Sequence, residues 1–590
     1  MNSPSLDELS LGFRDKFLSY DELTLQVRNW ADAFPDVCRV TSIGRTPEGR
    51  ELWLLTLGSD PDRTRPSAWV DGNMHASELC GSNVALAIAE DILRLHLEQP
   101  REPAASPLSA PVDARLRDVR FYVLPRMSPD GAEAVMTTGR YVRSIPRDHR
   151  PAQSHAYWRG EDVDGDGLAL SMRVRDSTGE MVESADFPGL LLPRTINDPP
   201  PYYKVYPEGV IANFDGANVP SPYFLSDNQT DLNRNFPYFW APDSKQEGAG
   251  AFPLSEIESR AVVEFTAQHP EIFLWLNLHT FGGVFIRPLG DKPDTKMNQE
   301  DLALFRQLGA WAEELTGYPM VSGNEEFTYA PDTPLHGDLS DYAYHQRGAI
   351  AYVVELWDLF AQAGLERKKK FVDNYTHLTR ADMLKIAAWD RAHNEGRAIL
   401  PWRKFTHPQL GEVEVGGVDP RVGLWNPPHS ALPGVCSAQA AHFLRTAALA
   451  PQVVVENVEI TALASAQSSP KLSPKLSQLT RVTVTVANHG YLPTFILASA
   501  KDLTHNEKLW ADATCEGCEL AEPSQGHREI GHLDGWGRGL FDGSGAIYYM
   551  QTRGTTGART VSWVVHGRGA LNIRVGSCRV GWITRRIEIA

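Results

Sequence analysis

Short apolar runs separated by stretches of helical periodicity restrict this chain more than any other feature. Residues 67–71, 120–124, 273–278 and 350–355 are too short for helices and too apolar for strands with one face in water. Runs of this kind read as strands buried on both faces. Helical spacing at 20–34, 81–97, 255–268 and 301–316, with further helices up to about residue 395, supplies the layers that would cover them. Two more strands, 39–43 and 51–57, are joined by the turn Pro47-Glu48-Gly49-Arg50. The expectation is an α/β domain on a mostly buried sheet flanked by helices.

At 590 residues the chain exceeds what a single core supports, so two or more domains are expected. Regular alternation fails from 145 to about 225, where Pro, Gly and Asp cluster around short strands. This reads as an insertion within a catalytic domain spanning 1–400, with 401–450 as a connecting segment. From 451 to 590, short alternating strands (453–461, 481–487, 560–565 and 570–576) and Gly-rich turns replace long helices. That pattern predicts a C-terminal all-β sandwich of roughly immunoglobulin size. The tandem Ser469-Pro470-Lys471-Leu472 and Ser473-Pro474-Lys475-Leu476 reads as a flexible loop.

The net charge of −17 is spread along the chain and argues against nucleic acid, whose phosphates need a Lys/Arg surface. No run of about 18 apolar residues occurs, so no membrane partner is expected. Met1-Asn2-Ser3-Pro4-Ser5 opens neither a basic nor an apolar leader region. A cytoplasmic location is the expectation, or secretion if a leader has been removed. Six cysteines make no disulfide framework. Cys515 and Cys518 have the spacing to hold a metal or form a disulfide, with a structural or incidental role the plainer reading.

Chemistry-bearing side chains stand where the buried runs end, the edge at which active sites of open α/β sheets gather. In Asp71-Gly72-Asn73-Met74-His75-Ala76-Ser77-Glu78, one tight turn can aim His75 and Glu78 at a single point. Imidazole and carboxylate are sound zinc ligands, although His-x-x-Glu by itself is also an ordinary surface turn. Asn277-Leu278-His279-Thr280-Phe281-Gly282-Gly283 ends another run with a histidine, which alone reads as a core residue as readily as a ligand. Asp231-Leu232-Asn233-Arg234-Asn235 sets an amide beside a guanidinium, a pair suited to a carboxylate or simply a polar loop. Glu355 closes the run Ala351-Tyr352-Val353-Val354. A carboxylate there is costly to bury unless paired or used, so it is a candidate general base.

Taken together and in this order, these segments resemble the zinc carboxypeptidase family, carboxypeptidase A type, over residues 20–359. The resemblance implies a mixed sheet and Zn2+ held by His75, Glu78 and His279, with a fourth position open to water. It further implies Glu355 as general base, Asn233 and Arg234 as the grip on a terminal carboxylate, and Asp231 as the group that orients a ligand histidine. In the family an oxyanion arginine lies twelve residues after the glycine of an Asn-Pro-Asp-Gly turn. The turn here is Ser128-Pro129-Asp130-Gly131, which gives Arg143, with Arg140 three residues earlier as a further substrate contact. A surface salt bridge is the alternative role for Arg143. Ser340 falls at a side-chain pocket position, and His336 and Asp338 nearby hint at a basic group. The implied activity is zinc-dependent hydrolysis that removes C-terminal residues from a peptide substrate with a free carboxylate. The alternatives are a zinc amidohydrolase acting on cell-wall peptides or acyl-amino acids, and a non-catalytic binding protein that retains the fold.

The chain departs from the family pattern in several places. Ser128 stands where the turn has asparagine, and the family's mobile tyrosine position holds Thr333, with Tyr329 as a stand-in. About 80 residues are inserted between Arg143 and Asn233. Within them Asp162-Val163-Asp164-Gly165-Asp166-Gly167 resembles the start of a Ca2+ loop, but Arg173 stands where that loop needs its final Glu. A calcium-stabilised turn and a metal-free Asp/Gly turn both stay open.

Overall fold

The computed structural model describes residues 4–100, 108–147, 155–221, 230–329, 333–463, 479–540 and 554–590. Its largest sheet has eight strands, in the order Cys38–Arg45, Glu51–Leu57, Arg120–Leu124, Ser67–Gly72, Ile272–Thr280, Ile350–Leu356, Val284–Arg287 and Met320–Ser322. The four apolar runs form its centre and pair in parallel. Antiparallel pairs on either side make the sheet mixed. Every residue of Ser67–Gly72, Arg120–Leu124 and Ile272–Thr280 is buried, as strands covered on both faces must be.

Helix Cys80–His96 packs on strands Ser67–Gly72 and Ile272–Thr280 and is covered in turn by helix Leu432–Ala447. It is therefore buried all round up to Leu95 instead of along one stripe. Strand and helix approach closely. A Cβ on Gly72 would lie 2.4 Å from the Gly81 carbonyl oxygen, and one on Gly81 would lie 2.8 Å from the Asn73 nitrogen. Glycine at both positions lets residues 73–79 fold as a tight loop between the two elements.

The insertion builds a sheet of its own from Ser171–Arg175, Tyr203–Pro207, Met181–Glu183 and Leu191–Pro193. Ile399–His407 and Gly411–Val418 continue it. Met172, Val413 and Val415 share a small core with Trp158 and Ile211. Residues 401–450, expected only to connect, thus contribute most of a hairpin to this sheet and a helix to the main body. The Arg173–Glu414 ion pair joins residues 241 apart in sequence, a relation that no local pattern carries.

Beyond residue 450, two four-stranded sheets share one apolar core, as a C-terminal all-β sandwich requires. Val482, Val484, Trp563 and Val565 from one sheet pack with Leu509, Leu571, Ile573 and Val575 from the other. Strands Leu509–Glu516, His527–Gly531 and Gly581–Ile589 add to those expected. Buried Arg579 ties this unit to the main sheet by donating to the carbonyls of Pro270, Ile272 and Arg347. The Ser-Pro-Lys-Leu repeat lies outside the described residues. Among those residues, no helix is long and apolar enough to cross a membrane.

Candidate active site

Parallel pairing of the central strands sets His279 opposite Glu355 and Asn277 opposite Asp71. The loop after Ser67–Gly72 supplies the rest. Asn73 adopts a left-handed backbone (φ 56°), and its side-chain amide donates to the carbonyls of His75 (2.8 Å) and Ala76 (3.1 Å). That fold brings His75 Nδ1 to 2.8 Å from Glu78 Oε1. His279 Nδ1 lies 3.0 Å from both His75 Nδ1 and Glu78 Oε2. All three side chains are buried.

The outward-facing nitrogens decide what this cluster suits. His75 Nε2 is 3.1 Å from Asp231 Oδ1, and His279 Nε2 bonds Asn277 Oδ1. Both partners are acceptors, so each Nε2 carries the proton, and a neutral imidazole has only one. Two Nδ1 lone pairs and the Glu78 carboxylate therefore converge on a single point. Three electron-pair donors facing one another repel unless a cation lies among them. Two histidines and one glutamate match the ligand set of an open catalytic zinc site, so these residues fit Zn2+.

The charges around the point are strongly interdependent. Burial would raise the Glu78 carboxyl, but His75 and His279 hold it well below the usual range. Asp231 is likewise pushed up by burial and held far down by Arg143 and His75. Arg143 donates from Nε to Asp231 Oδ2 at 3.0 Å and lies 3.5 Å from Glu78 Oε1. Glu355 is different: burial first, then the Glu78 charge, raise it well above an ordinary carboxyl, with Arg143 opposing.

Asn277 is a site residue that the sequence reading missed. The fully buried Asp71 carboxylate accepts from Trp69 Nε1 (2.7 Å), Trp275 Nε1 (2.8 Å) and Asn277 Nδ2. Burial pushes Asp71 up to about 6 against those three donors. Since the amide nitrogen of Asn277 is held by Asp71, its oxygen must face His279. A signal was available, because residues two apart on a strand share a face, and Asn277 is polar within an apolar run. Replacing Asn277 by Ala is expected to weaken zinc binding by about 10- to 100-fold. Chelator competition measures this, and unchanged affinity would remove the orienting role.

A cavity of about 220 Å³ opens over the cluster, and Arg143, Asn233, Arg234, Ser340 and Glu355 line it together. Asn233 Oδ1 accepts from the Leu339 amide (2.9 Å), which leaves its amide N–H groups to give. The Ser340 hydroxyl donates to Asp338. Arg140 is not brought to the cavity; its guanidinium turns to the Gly160 carbonyl of the insertion. Ser128 donates to the Ser144 carbonyl and serves the loop instead. Tyr329, 62% exposed, lines the cavity where Thr333 does not. Tyr141, Arg287, Tyr375 and Trp425 also line it, and no motif announced them.

Nothing supports Ca2+ at Asp162, Asp164 and Asp166. These carboxylates accept from the amides of Gly165, Gly167, Asp166 and Leu168, and the Arg403 guanidinium bridges Asp164 and Asp166. Arginine already provides the positive charge. Arg173, at the position of the missing Glu, pairs with Glu183 and Glu414.

The chain is similar to several known proteins. Carboxypeptidase B of Astacus astacus is 23% identical over 350 residues, which are 58% of this chain and 86% of that protein. Carboxypeptidase D of Mus musculus is 22% identical over 36% of this chain but 13% of its own length. Structural neighbours include thrombin-activatable fibrinolysis inhibitor (17% identity, TM-score 0.39, covering 65% of this chain and 76% of that one). Carboxypeptidase A from Helicoverpa armigera is another (19%, TM-score 0.38, covering 65% and 75%). Residues 453–588 match a domain of unknown function. The zinc carboxypeptidase family model matches residues 26–165 and 213–371, just over half of the chain. As the converging donors His75, Glu78 and His279 all fall inside that match, sequence and geometry agree that this chain belongs to the zinc carboxypeptidase family.

Proposed function

We propose that the protein is a metallocarboxypeptidase that releases C-terminal residues from peptides. The observation that carries this is one cavity shared by an open His-Glu-His donor set, a carboxylate outside that set (Glu355) and the Asn233–Arg234 pair. Zinc, when bound, polarises a carbonyl and acidifies water. Glu355 takes the proton of the attacking water and passes it to the leaving amine. Arg143 offers its guanidinium to the carbonyl oxygen as negative charge develops there. Asn233 and Arg234 receive the terminal carboxylate, which limits cleavage to the last bond. Asp231 keeps the His75 proton on Nε2. Asp338, beside Ser340 at the cavity wall, favours a basic side chain on the released residue.

The test is incubation of the zinc-loaded and the chelated protein with a mixed peptide library, followed by mass spectrometry. Zinc-dependent loss of single C-terminal residues is the expected result. Bound zinc without any trimming would instead favour another amide, such as a cell-wall peptide. Within this reading, Arg234→Ala lowers kcat/KM for free C-termini by roughly 10- to 100-fold, mainly through KM, because a hydrogen bond to a charged group is lost. Amidated peptides should feel little change, and an equal effect on both would remove the clamp role.

A further inference from the structure

We propose that Trp425 and Tyr141 form an aromatic subsite that selects a large apolar or aromatic side chain on the N-terminal side of the scissile bond. The proposal rests on the carboxypeptidase reading above. Both rings are partly exposed, both line the cavity, and they meet edge to face with centroids 5.0 Å apart. Trp425 lies outside the residues matched by the family model whereas Tyr141 lies inside them, so one of the two rings is contributed by a segment beyond the matched region.

That segment is firmly seated. Asn426 accepts from the Cys80 amide (2.9 Å) and donates to the carbonyls of Ser77 (2.9 Å) and Arg421 (3.0 Å). Arg421 pairs with Asp419 and donates to the carbonyls of Val135 and Met136. The Trp425 amide closes the turn on the Pro420 carbonyl at 2.8 Å. A ring held this way loses little freedom when a ligand arrives.

Placement assigns the occupant. The cavity wall that receives the terminal carboxylate is knit together by the Leu339–Asn233 and Ser340–Asp338 bonds. Trp425 is instead held beside the metal loop by its neighbour Asn426, which bonds Ser77 and Cys80. Tyr141 stands two residues before Arg143 and lines the same cavity, and the reaction assigns the Arg143 guanidinium to the scissile carbonyl. With the last residue on the Asn233 wall, the rest of the peptide runs past Arg143 toward these rings. Aromatic faces there reward apolar and aromatic side chains over glycine.

The experiment compares two N-acetyl tripeptides that share the C-terminal residue released best by the wild type and carry Phe or Gly before it. Wild type is expected to favour Phe by about tenfold in kcat/KM. Trp425→Ala should bring that ratio to about one, chiefly through KM, and Trp425→Phe should restore most of it, all at equal zinc content. No preference in the wild type, or an unchanged ratio in Trp425→Ala, overturns the subsite. If zinc-loaded wild type releases nothing, the carboxypeptidase reading itself has failed. Calorimetry with the same peptides then decides the subsite: tighter Phe binding lost in Trp425→Ala supports it, and equal binding overturns it.

Discussion

Glu355→Gln is expected to lower kcat by about 10²–10⁴-fold while the protein keeps its zinc. The substitution preserves shape and removes only the ability to hold a proton. Glu355 is not one of the converging donors, so metal content should match the wild type. Burial and the Glu78 charge raise its carboxyl, which means the base form appears only as pH rises past that raised value. Zn2+ held by His75, Glu78 and His279 would offset the Glu78 charge and would bring the base form back toward neutral pH. Wild-type kcat/KM should therefore show an acidic limb that the variant's residual activity lacks. Steady-state kinetics against pH, with metal analysis of both proteins, checks this. Near-normal turnover by the variant would sink the mechanism.

Arg143→Ala should cost about 10²–10³-fold in kcat, the usual consequence of removing a donor to a developing oxyanion. The difficulty is that Arg143 also bonds Asp231 and neighbours Glu78, so activity alone does not isolate the role. Zinc affinity does. Removing a cation beside the donor set lessens repulsion toward Zn2+, and the apparent affinity should hold or rise. Arg143→Lys keeps the charge but not the fork that bonds Asp231 and, in the proposed reaction, the carbonyl oxygen, and is expected to recover only part of the rate. If zinc and activity are lost in parallel, Arg143 supports the metal site and not the carbonyl oxygen.

How much of this was legible beforehand depends on how far each feature reaches along the chain. The central strands could be read because strands buried on both faces need largely apolar runs, and helix Cys80–His96 because its middle, Val84 to Ala89, is apolar and is followed by Ile92, Leu93 and Leu95. His75 and Glu78 sit in one loop, and their spacing is visible locally. Arg140 was misplaced because the insertion strand Tyr157–Gly160, which draws it away, leaves no mark at position 140. Asp162, Asp164 and Asp166 looked like a cation loop because the arginine that answers them is Arg403, more than 200 residues on.

The sequence by itself determined the layered α/β class, the change to β structure after residue 450, and which residues are candidates for the chemistry. Tertiary structure alone decided their relations. The register that sets His279 against Glu355, the Asp71–Asn277 link behind His279, and the arrival of Trp425 at the cavity all join distant segments. The physical reason is that periodicity and turn chemistry act over a few residues, whereas pairing and burial join whatever the completed core brings within reach.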